Sequence, residues 1–242
     1  MAESTVVFAM YPNVTQLDAT GPFEVFSRLP DTRCVLASVE GGTVECSGGL
    51  ALTQVARLAD IASCTVLCVP GGYGCIAAME DEAYLAALRR LAATARYVTA
   101  VCTGSLLLGA AGLLRGRRAA CHWAWRGLLA EFGAIPDADR VVQDGSTITG
   151  GGVTAGIDLA LSVMAEIAGP AHAQTVQLTL EYAPEPPFES GRPETARPEI
   201  LRAALARVAA VRAERDAAVR RAAARLGIPG ESGTSGTERG AR

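Results

Sequence analysis

The sequence predicts an α/β fold in which a mostly parallel β-sheet is sandwiched by helices. Three observations carry this expectation. Short runs such as residues 5–11 (T-V-V-F-A-M-Y) and 65–69 (T-V-L-C-V) are apolar throughout, as strands covered on both faces are. These runs alternate along the chain with longer segments of helical character. Half of the 242 residues are hydrophobic and only 19% are charged, which is enough apolar material for one large core.

The elements follow in order. The first strand is 5–11, and Pro12 and Asn13 turn the chain after it. Gly21 and Pro22 read as a helix start, with Pro22 in the first helical position and Glu24 in the first turn. Residues 33–38 form a second strand, and 43–53 a hairpin broken at Gly48-Gly49. The third buried strand, 65–69, ends in Pro70-Gly71-Gly72. A helix over 81–95, a strand over 96–101, a helix over 104–114 and a short strand over 118–121 come next. Residues 140–149 suggest a hairpin around Asp144-Gly145, and helices over 154–168 and 170–182 close the compact region.

Residues 183–198 are rich in proline and read as an ordered, irregular connection. An Ala/Arg-rich helical arm spans 199–226. Its stripe of Leu201, Leu205, Val208 and Val211 is expected to pack on the body or on a partner subunit and to supply no catalytic group. From Arg197 to Arg225 the chain carries eight arginines against three acids, a local net charge of +5. The division is therefore a catalytic domain over 1–198, the arm over 199–226 and a disordered tail over 227–242.

Composition removes several classes of function. All 22 basic residues are arginine, so lysine Schiff-base and P-loop lysine chemistry are excluded. The only histidines are His122 and His172, which argues against a His-rich metal site, and no metal is expected. A net charge of −3 provides no global field for nucleic acid. The seven cysteines, at 34, 46, 64, 68, 75, 102 and 121, contain no C-x-x-C pair. They suit neither a disulfide framework nor a zinc site and read as buried thiols in a reducing cytoplasm. The N-terminus lacks the pattern of a signal peptide. The 18 charge-free residues 97–114 divide into a strand and a helix, so no membrane span is expected.

The chemistry concentrates in R-Y-V-T-A-V-C-T-G-S-L-L-L-G. A strand ends at Val101, Cys102 falls at the sharp turn, and Gly104-Ser105 open a helix. This is the arrangement of a nucleophile elbow. A helix N-terminus there favours thiolate, and adjacent backbone N–H groups can stabilise developing charge. Gly71 and Gly72 end the neighbouring strand and let backbone approach a bound atom closely. In an open parallel sheet, ligands collect outside the carboxyl ends of such strands. Asp18, placed just before the expected helix start, is a third element that either binds the helix dipole or serves the site.

These stretches carry a resemblance. Q-L-D-A-T-G-P at 16–22, P-G-G at 70–72, the cysteine elbow within 95–114, H-W at 122–123, T-G-G-G-V-T-A-G-I-D at 149–158 and L-E-Y-A-P-E-P-P-F at 180–188 resemble the ThiJ/PfpI superfamily. Within it they are most similar to the isocyanide (isonitrile) hydratase family. The similarity covers about residues 5–190. It implies a class I glutamine amidotransferase-like (flavodoxin-like) fold, and hydration of an isocyanide to an N-substituted formamide with no cofactor. It implies Cys102 as nucleophile, Asp18 as the carboxyl group beside it and Thr103 as the third site residue. Gly71, Gly72, Tyr73 and His122 would border the substrate, and a homodimer is expected.

Protease-like relatives carry histidine after the cysteine. Thr103 stands there in this chain, and no His-x-Glu pair follows His172, so peptidase and glutaminase activities are not expected. The alternatives are a sensor domain like that of AraC-type regulators, without its DNA-binding part, and another hydrolase or glyoxalase of the superfamily.

Overall fold

The computed structural model describes residues 4–228. The expected disordered tail therefore lies, apart from its first two residues, outside the described residues. Ten strands are present: β1 (Ser4–Ala9), β2 (Thr32–Ser38), β3 (Gly42–Glu45), β4 (Ala51–Arg57), β5 (Val66–Val69), β6 (Tyr97–Val101), β7 (Arg118–Ala119), β8 (Ile135–Pro136), β9 (Val141–Asp144) and β10 (Thr147–Gly150). The helices are α1 (Gln16–Phe26), α2 (Cys75–Ala78), α3 (Glu82–Ala92), α4 (Gly104–Ala110), α5 (Ala155–Ala168), α6 (Pro170–Thr179) and α7 (Pro198–Arg225).

Eight strands form one sheet in the order β3-β4-β2-β1-β5-β6-β10-β9. All neighbours pair in parallel except β3 with β4 and β10 with β9, the two hairpins at the edges. The central strands β1, β5 and β6 are apolar because both of their faces are covered. Val6 to Met10 and Val66 to Val69 have no solvent exposure. Helix α5 packs on α1 and α6, whereas α4 packs on α2, α3 and α7. Since β1, β5 and β6 lie side by side, the segments that follow them meet at one carboxyl edge: the turn into α1, the Pro-Gly-Gly loop and the cysteine turn.

Several boundaries differ from the sequence expectation. Helix α1 begins at Gln16, so Pro22 lies inside it and Asp18 lies in its first turn. Pro22 forgoes one backbone hydrogen bond, but its ring packs on α5. A Cβ added at Gly156 would lie 3.0 Å from Pro22 Cδ and 3.3 Å from Val101 Cγ2. Tertiary packing thus carries the helix through a residue that reads as a start signal. The helix expected over 104–114 ends at Ala110, and Gly112 adopts φ +78° two residues later. The expected strand 118–121 shrinks to β7, which pairs with the unforeseen β8 outside the main sheet. Helix α2 and a 3-10 segment over Arg126–Phe132 were also not legible.

Helix α7 spans nearly the expected range; Val208 and Val211 of the expected stripe pack against the core, and the deepest burial continues that stripe further along the helix. Arg215, Ala218, Val219, Ala222 and Ala223 are covered, while Leu205 of the expected stripe is 44% exposed. Small alanines allow closer approach to α2, α4 and the 3-10 segment than the larger aliphatic residues of the first half. Three contacts fasten this second half: Tyr73 to Glu214, Arg221 to Glu80, and Arg225 to the carbonyl of Met79. Among the described residues, no helix is long and apolar enough to cross a membrane.

Candidate active site

The cysteine turn is strained and closely supported. Cys102 adopts φ +58°, a left-handed conformation that costs about 1–3 kcal/mol for a residue with a Cβ. Its N–H donates to the carbonyls of Gly150 and Gly151 at 3.1 and 2.8 Å, which anchors the turn to the end of β10. Behind it α4 starts almost in contact with β5. A Cβ at Gly104 would lie 2.1 Å from the Val69 carbonyl oxygen, so only glycine lets the elbow sit this deep.

Asp18 is buried with no solvent exposure. Its Oδ2 accepts the Gly71 N–H at 2.9 Å, and its Oδ1 is buried without a hydrogen-bond partner of normal geometry. Burial raises the carboxyl pKa to about 7, against the opposing effects of the Gly71 N–H and the Cys102 thiol. Burial also pushes the Cys102 thiol well above its ordinary value, and the charge of Asp18 pushes it further. The Thr103 N–H acts the other way. The helix N-terminus expected to favour a free thiolate is thus outweighed by desolvation and by the neighbouring carboxylate. The carboxyl group therefore titrates near neutrality beside a thiol that keeps its proton.

Thr103 is buried, and its hydroxyl accepts the Gly72 N–H at 2.9 Å and faces the Gly72 carbonyl at 3.2 Å. Gly71 is wedged between the two side chains. A Cβ on it would lie 2.8 Å from Asp18 Oδ2, 2.8 Å from Thr103 Oγ1 and 2.6 Å from the Thr103 nitrogen. Asp18, Gly71, Gly72, Cys102 and Thr103 therefore form one contiguous cluster.

Two other residues singled out from the sequence stand at its margins. Tyr73 is 46% exposed, and its hydroxyl donates to Glu214 of α7 at 2.7 Å. His122 is half-buried; its Nδ1 accepts the Ala124 N–H at 3.3 Å, and burial followed by the charge of Arg215 lowers its pKa. With Cys121, Gly151 and Gly152 it lines a cavity of about 570 Å³ beside the elbow. Tyr73 belongs instead to a cavity of about 660 Å³, and neither cavity is lined by Cys102 or Asp18. Sequence reasoning missed Cys75 and Cys121, both buried and both electrostatically coupled to the Cys102 thiol. It also missed Arg215, which acts on both of them from the arm. Their spacing carries no motif, because four separate elements bring them together.

Comparison with known proteins places this geometry. The family model described as the DJ-1/PfpI family matches residues 4–166. The chain belongs to the DJ-1/PfpI family. Among relatives of this DJ-1/PfpI chain, the isonitrile hydratase of Pseudomonas putida is 54% identical over 189 residues, covering 78% of this chain and 83% of that protein. The crystal structure of a ThiJ/PfpI family protein from Pseudomonas syringae superposes with a TM-score of 0.87 at 40% identity, covering 90% of this chain and 91% of that one. The HTH-type transcriptional regulator CdhR of Pseudomonas aeruginosa is 32% identical over 137 residues, which span 55% of this chain but only 40% of the regulator. The DJ-1/PfpI core is thus shared with a regulator, while the much longer match is to the hydratase.

Proposed function

We propose that this DJ-1/PfpI protein hydrates isocyanides to N-substituted formamides, with Cys102 as nucleophile and Asp18 as its proton partner. The observation that carries the reading is the buried Cys102–Asp18 pair in a chain 54% identical to an isonitrile hydratase. An isocyanide, R–N≡C, has a carbon terminus that accepts both a nucleophile and a proton. Cys102 sulfur bonds to that carbon while its proton passes to the Asp18 carboxylate. Asp18 returns the proton to the same carbon, giving the thioimidate R–N=CH–S–Cys102. Water then adds across C=N, its oxygen to carbon and one hydrogen to nitrogen. Collapse to R–NH–CHO breaks the C–S bond, and the second water hydrogen returns through Asp18 to sulfur. A carboxyl group with a pKa of about 7 exchanges protons readily at neutral pH.

In this reading Thr103 positions the Pro-Gly-Gly loop, and Gly71 and Gly72 leave room beside the sulfur. His122 bounds the approach of the substituent on one side, while Tyr73, which follows Gly72 in the loop, borders it only from the neighbouring cavity. Residues 1–198 act as the catalytic unit, with 199–226 as a helical arm laid over it. Seven free cysteines suit a reducing, cytoplasmic setting. We also assign a homodimer, supported by the exposure of Leu178, Phe188, Ile200 and Leu205.

The test is formamide production by purified protein supplied with a panel of alkyl isocyanides. Wild type should release one formamide per isocyanide consumed, and Cys102→Ser should be slower by several orders of magnitude with its fold retained. Turnover of methylglyoxal without turnover of any isocyanide would replace this reading with a glyoxalase.

A further inference from the structure

The segment that ends β10 and opens α5 is tied by a chain of hydrogen bonds to the nucleophile. Cys102 donates its N–H to the Gly151 carbonyl at 2.8 Å, and Gly151 donates its own N–H to the Arg140 carbonyl at 2.9 Å. Gly151 is seated against Arg140: a Cβ on it would lie 3.6 Å from the Arg140 carbonyl oxygen and 4.0 Å from the Arg140 Cα. The backbone of Arg140 thus supports the residue on which the elbow rests.

The Arg140 side chain is held in turn by α5. Its Nε and Nη2 donate to Asp158 Oδ2 at 2.9 and 2.7 Å, and Nη2 also donates to the Thr154 hydroxyl at 3.2 Å. The Tyr182 hydroxyl donates to the same Asp158 oxygen at 3.0 Å. Thr154 stands at the N-cap of α5, yet its side chain caps no backbone N–H of that helix. Asp158 lies in the first turn, where the helix dipole favours an acid with no partner at all. Here it gathers donors from two other segments, the one before β9 and the one after α6.

The contacts close a ring. The chain runs from Gly151 into α5, α5 presents Asp158, Asp158 holds Arg140, and Arg140 holds Gly151. The side chains of Arg140 and Asp158 are 39% and 33% exposed, so their charges alone add little stability. Their effect is geometric. Cys102 has φ +58°, and a residue with a Cβ keeps that conformation only where its surroundings impose it. Asp158 and Tyr182 also belong to the stretches 149–158 and 180–188, to which the chemistry at Cys102 and Asp18 gives no task.

We propose that Asp158 is a positioning residue that holds the Cys102 elbow in its strained conformation through Arg140 and Gly151. Its effect on turnover rests on the isocyanide-hydration reading, whereas its hold on the backbone does not. Asp158 lines neither cavity beside the elbow, so it acts on the aim of the sulfur and not on the fit of the substituent. Small misplacements of a reacting atom lower the rate of the chemical step.

The experiment uses the full chain as wild type, Asp158→Asn, Asp158→Glu and Arg140→Gln. Amide hydrogen exchange reads the clamp directly. In Asp158→Asn the Gly151 and Cys102 amides should exchange at least about tenfold faster, while those of Val6 to Phe8 in β1 keep their wild-type rates, as local loosening requires. With an alkyl isocyanide, kcat should fall about tenfold with KM changed by less than about twofold. Asp158→Glu keeps the carboxylate and should recover part of both losses. Arg140→Gln breaks the link from its other end and should reproduce the exchange pattern, so the outcome does not depend on one variant folding. Wild-type exchange at Gly151 and Cys102 in a folded variant, faster exchange throughout the sheet, or a loss confined to KM overturns the role of Asp158. If wild type hydrates no isocyanide while these two amides alone exchange faster in the variants, the hydration reading fails and the clamp on the elbow stands.

Discussion

The hydroxyl of Thr103 is bonded to both backbone polar groups of Gly72, accepting the N–H at 2.9 Å and reaching the carbonyl at 3.2 Å. One side chain thereby fixes the loop after β5 against the elbow after β6. The same loop presents the Gly71 N–H to Asp18, so the grip of Thr103 on Gly72 is transmitted to the carboxyl group. Thr103→Val keeps the shape and removes both bonds; the Gly72 carbonyl still accepts the Cys75 N–H at 3.4 Å, but the buried Gly72 N–H is left unpaired at a cost of about 1–3 kcal/mol. We expect a melting temperature several degrees lower and kcat reduced at least about tenfold, with Thr103→Ser restoring most of both. Equal turnover in Thr103→Val and wild type would separate the clamp from the chemistry.

The Asp18 carboxyl gives a stability prediction with a definite sign. Its pKa is about 7 in the fold against an ordinary 3.8. Between those values the native state binds more protons than the unfolded chain, so stability falls as pH rises. The full loss, complete above about pH 7, is about 4 kcal/mol at most. Asp18→Asn carries no titrating group there. Relative to wild type it should gain stability between pH 4 and pH 8, as read from denaturant midpoints at the two values. A difference independent of pH would show that the buried carboxyl keeps an ordinary pKa.

The same titration should appear in catalysis. Below about pH 7 both Asp18 and Cys102 are protonated, and the carboxyl group cannot accept the thiol proton. The kcat/KM for an isocyanide should rise with pH through about 7 and then level off. In Asp18→Asn the rise should vanish and turnover should fall by about 10²-fold or more. If Asn supports wild-type turnover, Asp18 serves the backbone of Gly71 and nothing else.

Much of this site is legible in the sequence, for a specific reason. Strands buried on both faces announce themselves by composition, and the sharp turn at Cys102 is flanked by the residues such a turn needs. The end of β5 is marked by Gly71 and Gly72 in the same way. What escapes is whatever depends on packing between distant elements. Pro22 reads as a helix start because local preference places it there, and only the contact with Gly156 explains its position inside α1. In the arm, the large aliphatic residues Leu201 to Val211 draw attention, yet the tighter contact is made by Ala218, Ala222 and Ala223. Arg215 is hidden among the eight arginines from Arg197 to Arg225, because nothing in a helical period separates a buried arginine from a solvated one.

Gly71 offers a purely steric test. Its backbone does not have a positive φ, so alanine brings no conformational strain of its own. The added methyl would nevertheless lie 2.6 Å from the Thr103 nitrogen and 2.8 Å from Asp18 Oδ2, and these are not flexible chain ends. Gly71→Ala should therefore push the carboxyl group and the elbow apart. We expect near-complete loss of hydration, with a smaller loss of stability, about 1–3 kcal/mol. Slow alkylation of Cys102 should persist, as mass spectrometry can show. Wild-type turnover in Gly71→Ala would mean that the Asp18–Cys102 spacing is not critical.

The last third of the chain makes the assembly testable. Leu178 is 82% exposed, Phe188 77%, and Ile200 and Leu205 each more than 40%. Single exposed apolar residues are ordinary on a monomer, and the proposed dimer is the reading in which these four large ones, all between residues 178 and 205, would be covered. Their neighbourhood also holds the least buried half of α7, which gains little from the body and would gain from a second copy. The chain mass is 25.0 kDa, so sedimentation equilibrium at micromolar concentration should return twice that value. Leu178→Asp combined with Phe188→Asp places two desolvated charges in each half of the proposed contact and should return the mass to that of one chain. A wild-type protein that sediments as one chain would refute the dimer. A double variant that remains dimeric would place the contact elsewhere on the molecule.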